Sequence, residues 1–496
     1  MQGARARLRW CGAAVAVLLV LSGCGSGRAA PGPGDPAGTR DVGVQLFQWT
    51  WNAIARECTD TIGPAGFAWV LTSPPQEHVT GSAWWTSYQP VSYRVESRLG
   101  TRDEYRSMIS ACHRAGVKVL ADAVINHMTG KDTPGVGWAG SPYSHYDYPG
   151  LYSDAAGDFH HCGLTPNDDI VNYKDATQVR FCELVNLADL ATGTAHVRST
   201  IVAYLKDLRS LGIDGFRIDA AKHMPVDDIA AIVAQLPRDT MIVQEVIRGA
   251  GEPITPDQYV GNGKVDEFGW AVAVKGLLTG GTASLYRDLG PAWGFVDSAD
   301  AVVFVDNHDT ERNGTTLSYQ QGERYALANV LLLASPYGTP EVHSGYAFTS
   351  KDAGPVQDAD GRVLDATCAA GVGPTTTYTP GQWVCQQRWQ VVDGMVGWRS
   401  AVGDAPMTHW WDDGSDAFAF GRGSRGFVAV DAGSTPLSTT LPTGLAPGMY
   451  CDVITGALVD GRCTGTTVTV ADDGSAALAV PAGGAVAIHV GARQGG

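Results

Sequence analysis

The sequence predicts an α/β protein. Its centre is a (β/α)8 TIM barrel, with an irregular domain inserted after the third strand and an antiparallel β-domain at the C-terminus. Three observations lead there. From about residue 42 to 400, short apolar runs alternate with segments of helical spacing, the pattern of parallel strands joined by crossover helices. Three of the apolar runs end in ionisable residues, which is where such a barrel carries its chemistry. After about residue 400 the pattern changes to two-residue alternation around Gly and Asp turns, the mark of antiparallel strands. A doubly wound sheet is the alternative, but no Gly-rich dinucleotide loop follows the first strand.

Taken in order, the chain opens with Arg5, Arg7 and Arg9 ahead of "AAVAVLLVL" (Ala13 to Leu21), a run too short to span a bilayer comfortably. "LSGC" (Leu21 to Cys24) resembles a bacterial lipobox, in which cleavage precedes a cysteine that is then acylated. A plain secretory signal cut near Arg28 to Ala30 is the alternative. Residues 1–23 are therefore expected to be a lipoprotein signal peptide. Residues 24–40 then form a Gly/Pro-rich tether with a reach on the order of 20 Å.

The barrel is expected over 41–127 and 189–400. Its clearest unit begins with the capping box "TRDE" (Thr101 to Glu104), runs as a helix to Gly116 and continues into the strand "VKVLADAV" (117–124). A second unit keeps Val197, Ile201, Tyr204, Leu205, Leu208 and Leu211 at helical spacing, stops at Gly212 and enters "IDGFRIDA". Further strands are read at "VGVQLF", "FAWVLTS", "MIVQEVI" and "AVVFVDN". Residues 128–188, rich in Gly, Pro, Tyr, His and Asp, break the repeat and read as the inserted domain. Residues 401–496 form the β-domain.

The chain of 496 residues carries a formal net charge of −16 and no Lys/Arg-rich run, which excludes nucleic acid as a partner. Of ten cysteines, Cys11 leaves with the signal and Cys24 takes the lipid. The even remainder points to four disulfides in an oxidising compartment. Proximity pairs Cys162 with Cys182, Cys368 with Cys385 and Cys451 with Cys463, which leaves Cys58 with Cys112.

Four strand ends carry the chemistry: "DAVINH" (122–127), "GFRIDAAKH" (215–223), "IVQEVI" (242–247) and "FVDNHD" (304–309). In "GFRIDAAKH" a strand places Arg217 and Asp219 on one face, opposite Phe216 and Ile218. A buried ion pair is a poor source of stability, so function is the better reason for it. Together the four segments resemble, in order, the signature regions of the α-amylase family of glycoside hydrolases. "SAWWTSYQPVSY" (82–93), "QVRFCELVNLADLA" (178–191) and "SPYG" (335–338) extend the resemblance over the chain from residue 42.

The resemblance implies a retaining glycosidase, which needs two carboxyl groups about 5 Å apart across the scissile bond. It assigns Asp219 as nucleophile, Glu245 as acid/base and Asp309 as the carboxylate that grips the sugar, with His127 and His308 donating hydrogen bonds nearby. Arg217 is expected to favour the ionised form of Asp219 by charge proximity. Lys222 and His223 are expected on the leaving-group side. Trp84, Trp85, Tyr88 and Gln89 are expected along the cleft, the aromatic faces stacking on pyranose rings.

The family's calcium ligands match Asn126, the carbonyl of Arg180, Asp189 and the carbonyl of His223, all oxygen donors as Ca²⁺ requires. Chloride is not expected. Of the family's chloride-binding residues Arg217 and Asn307 are kept, but the third position is Glu341, which would repel the anion and pair with Arg217. The implied activity is endo-hydrolysis of α-1,4-glucosidic bonds in starch, with α-glucan polysaccharide or maltooligosaccharides as partners. The alternatives are a transglycosylase, an exo-acting maltooligosaccharide former and a non-catalytic glucan-binding lipoprotein. The chain is expected to act as a monomer, exported and anchored through Cys24 to the outer face of a bacterial membrane, or else fully secreted.

Overall fold

The computed structural model describes residues 40–130 and 134–495. The signal, lipobox and tether calls, Cys24 included, lie outside the described residues. Eight parallel strands close into a barrel: β1 (Gly43–Leu46), β2 (Trp69–Thr72), β3 (Lys118–Ala123), β4 (Gly215–Ile218), β5 (Met241–Gln244), β6 (Lys264–Asp266), β7 (Ala301–Val303) and β8 (Thr339–Ser344). Each pairs with its neighbour in chain order, and β1 pairs with β8 to close the ring. Six of these strands coincide with the apolar runs of the sequence. The two that do not are β6, which is three residues long, and β8, whose "TPEVHS" carries a proline and two ionisable residues.

The helices form for the reasons the sequence indicates. In Arg102–Arg114, Thr101 Oγ1 accepts from the N–H of Glu104 while the Glu104 carboxylate accepts from the N–H of Thr101. These bonds satisfy donors that a helix start leaves unpaired. Ala195–Leu211 buries Val197, Ile201, Tyr204, Leu205, Leu208 and Leu211 and stops at Gly212, whose φ of +110° is open to glycine at little cost.

Between β3 and β4 the insert is held by short ladders, Gly135–Val136 with Pro142–Tyr143 and Asp147–Tyr148 with Tyr152–Ser153, and by the short helix Ala176–Phe181. All four expected disulfides are present: Cys58–Cys112, Cys162–Cys182, Cys368–Cys385 and Cys451–Cys463.

The C-terminal region is two antiparallel four-stranded sheets around their own apolar core, which includes Phe427, Tyr450, Leu478 and Ile488. The helix Gln390–Val402 joins it to the barrel, Trp398 Nε1 donating to the carbonyl of Ile488 at 3.0 Å. Among the described residues no helix is long and apolar enough to cross a membrane.

Candidate active site

The strand register sets the centre of the site. Asp122 on β3 is level with Arg217 on β4, which is level with Val243 on β5. The Arg217 side chain, 3% exposed, therefore reaches the groups that follow these strands. Its Nη1 donates to Asp122 Oδ1 at 2.8 Å and to Asp219 Oδ1 at 2.9 Å. Its Nη2 lies 3.1 Å from Glu245 Oε1, and its Nε 3.5 Å from Asp266 Oδ2. The structure thus brings Asp219 and Glu245 together on one guanidinium and adds Asp122 and Asp266, which the sequence reading did not single out. Asp122 opens one of the four motifs, so its place was visible; Asp266 had no such signal.

Arg217 is one cation among several buried carboxyls. Burial, then Glu245, push the Asp219 carboxyl well above its usual range, and Arg217 pulls the other way without prevailing. Arg217 thus favours the ionised form of Asp219, as expected, against burial and Glu245. Burial and Glu245 likewise raise Asp309 to about 7.

Asp219, Glu245 and Asp309 line one cleft of about 610 Å³ together with Trp84, Trp85 and Tyr88. The Tyr88 hydroxyl donates to Asp122 Oδ2 at 2.9 Å, and its ring stacks on His308 at 4.9 Å. Phe47 covers the other side of His308 at 4.8 Å. Trp84 meets Tyr88 edge-on and is fixed by its Nε1 donating to the carbonyl of Lys351. The Gln89 amide oxygen accepts from Thr129 Oγ1, tying the cleft wall to the insert.

His308 faces the cleft as neutral imidazole, since burial and then Arg217 hold its pKa well below the ordinary value. His127 is also in the cleft, but its Nε2 donates to the carbonyl of Tyr88 at 3.0 Å. That donor is engaged within the protein, contrary to the expectation of a hydrogen bond given to sugar. Lys222 likewise differs from a free sugar-binding cation. Its Nζ donates to the carbonyl of Ile247 at 2.7 Å, pairs with Glu252 and sits 5.3 Å over the Tyr173 ring. Glu252, Ile247 and Tyr173 all line the cleft, so Lys222 organises its wall.

Of the four residues read as calcium ligands, Asn126 and Asp189 are directly linked. Asp189 is hydrogen-bonded by Asn126, and Leu190 N donates to the carbonyl of Asn126. His223 Nδ1 donates to the carbonyl of Val179, the residue before Arg180, at 3.0 Å. Asp189 is buried, and burial raises its carboxyl to about 7. Among the described residues its one ionic partner is His160, at 2.6 Å, which the sequence did not single out. A buried carboxylate this poorly compensated, among amide and carbonyl oxygens, fits a hard divalent cation.

Glu341 does not pair with Arg217 as expected. Its Oε2 accepts from Trp69 Nε1 at 3.1 Å, and Arg217 acts on it only at longer range. The nearer positions around Arg217 are taken by Asp122, Asp219, Glu245 and Asp266.

Comparison with known proteins agrees with this arrangement. The family model for the catalytic domain of α-amylase matches residues 70–260, and that for its C-terminal all-β domain matches 409–491. An α-amylase of Streptomyces violaceus is 47% identical over 464 residues, covering 93% of this chain and 76% of its own. An α-amylase of Tenebrio molitor is 41% identical over 478 residues, covering 92% and 98%. The crystal structure of wild-type α-amylase I from Eisenia fetida superposes with a TM-score of 0.85 at 34% identity, covering 92% of this chain and 99% of that one.

Proposed function

The chain belongs to the α-amylase family, glycoside hydrolases acting on starch, and from that premise we propose how its own residues divide the work. Asp219 attacks C1 of the glucosyl unit, and Glu245 donates its proton to the departing glycosidic oxygen. Glu245 then takes a proton from the water that attacks C1 of the glycosyl–Asp219 ester. The sugar leaves with its configuration retained, because two inversions have occurred. The observation that carries this reading is the bridge through Arg217, whose two Nη atoms contact Asp219 and Glu245 at 2.9 and 3.1 Å. Two carboxyls gathered on one guanidinium support a covalent intermediate, which demands a spacing of about 5 Å.

Asp309 and His308 grip the hydroxyls of the distorted ring, and Trp84, Trp85 and Tyr88 supply apolar faces for neighbouring units. The cleft takes α-1,4-glucan chains at internal bonds. Calcium, bound by Asn126, Arg180, Asp189 and His223, would neutralise Asp189 and clamp the insert to the barrel. In domain terms, 41–127 and 189–400 form the barrel, 128–188 the insert and 401–496 the β-domain. The protein works outside the cell as a monomer, after a signal at 1–23 and with a lipid on Cys24. Release of the Cys24→Ala variant into the medium tests the anchor.

Asp219→Asn tests the chemistry. It keeps the shape and the Arg217 contact but removes the nucleophile, so release of reducing sugar from soluble starch should fall by several orders of magnitude. More than a few per cent of residual activity would remove Asp219 from that role.

A further inference from the structure

One hydrogen-bond relay away from His308, three buried side chains converge. Asp306 follows β7, Glu311 lies in the short helix Thr310–Asn313 and His343 is on β8; they are 1%, 5% and 2% exposed. One donor atom from each lies within 4.8 Å of the others, which among the described residues is the single grouping of three such side chains that close. Asp306 Oδ1 accepts from the Tyr325 hydroxyl at 2.7 Å, and Glu311 Oε1 accepts from Arg312 Nη1. Asp306 Oδ2, Glu311 Oε2 and His343 Nε2 are buried without any hydrogen-bond partner. His343 Nε2 stands 3.4 Å from Glu311 Oε1.

Three unpartnered polar atoms in one place are costly, since each buried group left unsatisfied loses about 1–3 kcal/mol. Arg312 compensates one of the two carboxylates. A proton shared between two of the groups would still leave the third without a partner. Space is kept beside them by Gly345. A Cβ there would lie 3.0 Å from His343 Nε2 and 3.7 Å from Glu311 Oε1, although its φ is one that alanine adopts.

We propose that Asp306, Glu311 and His343 bind one divalent transition-series cation, such as Zn²⁺, separate from the calcium site. The donor set decides the class: one imidazole nitrogen and two carboxylate oxygens suit Zn²⁺ and its neighbours, whereas calcium takes oxygen throughout. Tetrahedral bonds of 2.0–2.2 Å place donors roughly 3.3–3.6 Å apart, so modest side-chain rotations close the site.

The cation would also orient the cleft. With Nε2 on the metal, His343 carries its proton on Nδ1, which donates to Gln45 Oε1 at 2.8 Å. The Gln45 amide then presents its Nε2 to His308 Nδ1 at 3.2 Å. His308 is left as the Nε2–H tautomer, that nitrogen lying 3.6 Å from Asp309 Oδ2. His343 and Gln45 are positioning residues in this relay.

The test is metal content. The whole protein is produced in zinc-supplemented medium, washed with EDTA, returned to excess calcium and assayed by elemental mass spectrometry for all first-row divalent metals. About one equivalent per wild-type chain is expected, falling to about a tenth or less in Asp306→Asn and Gly345→Ala. Asp306→Asn keeps the Tyr325 hydrogen bond, and Gly345→Ala keeps every ligand while filling the space. Less than about a fifth of an equivalent in the wild type overturns the proposal, as does equal content in both variants. If either variant fails to fold, the wild-type stoichiometry alone decides. No substrate enters this measurement, so its failure leaves the reading of the starch cleft untouched.

Discussion

Glu245 Oε2 accepts a 2.7 Å hydrogen bond from the backbone N–H of Ala220, a residue held at φ 50° and ψ 29°. That left-handed conformation is unusual for alanine and costs on the order of 1 kcal/mol. It turns the chain immediately after Asp219 so that one carboxyl stays on Arg217 while the next N–H points at the other. The local strain and the placement of the two carboxyls are therefore one feature.

Substitution at Ala220 separates the two effects. Ala220→Gly removes the strain and should leave thermal stability unchanged or slightly higher. Ala220→Val puts a β-branched residue in the left-handed region, which should cost about 1–3 kcal/mol and lower kcat as the N–H turns away from Glu245. Paired melting and kcat measurements check it. A valine variant matching the wild type in both would mean that the turn does not govern Glu245.

Asp309 makes a prediction about pH and stability. Its carboxyl is raised to about 7, against about 3.9 in an unfolded chain, so the folded state binds a proton that the unfolded state releases. A raised pKa contributes stability that is fully present below about pH 4 and is lost as pH climbs toward 7. Asp309→Asn carries no such proton. It should melt with the wild type at pH 4 and above it at pH 8, while losing activity throughout. Melting curves across that range decide it; an equal gap at both pH values would show that the raised pKa of this carboxyl is not what costs stability.

Calcium removal should act locally. Asp189, buried with His160 as its ionic partner, loses the cation that compensates it, and the insert loses its clamp. With the calcium-selective chelator EGTA, amide exchange should accelerate first in the segment around Asp158 to Asp189, with the barrel strands β1 to β8 still protected. The melting temperature should fall as well. Unchanged exchange and an unchanged midpoint would count against calcium at Asn126 and Asp189.

Much of this was legible in the sequence, for identifiable reasons. A strand buried on both faces is a continuous apolar run, so six barrel strands declared themselves. β8 did not, because its residues Glu341 and His343 are polar groups used inside the barrel, which breaks the apolar pattern. Asp219, Glu245 and Asp309 sit in contiguous motifs and were named from those. Asp266, His160 and the Asp306–Glu311–His343 group owe their roles to contacts between segments up to about fifty residues apart, which no local pattern records. The engagement of His127 and Lys222 with backbone carbonyls depends on where loops come to rest, and was likewise invisible.

The last prediction concerns chloride. An anion near Arg217 would have to share it with Asp122, Asp219, Glu245 and Asp266, whose carboxyl oxygens lie 2.8–3.5 Å from its nitrogens. Glu341 then adds negative charge on the same side, held by Trp69 Nε1 and lying within the field of Arg217 and Asp266. In part that charge does what a bound anion would do, since a neighbouring negative charge raises the pKa of a carboxyl group. Burial raises Glu341 itself to about 7, so its charge grows as pH rises through neutrality. Turnover measured in chloride-free acetate buffer should therefore stay level when sodium chloride is added at constant ionic strength, most clearly at pH 8. Glu341→Gln, which keeps an acceptor for Trp69 but removes the charge, should shift the alkaline limb of the activity profile downward. A several-fold activation of the wild type by chloride would mean that an anion enters beside Arg217 in spite of Glu341.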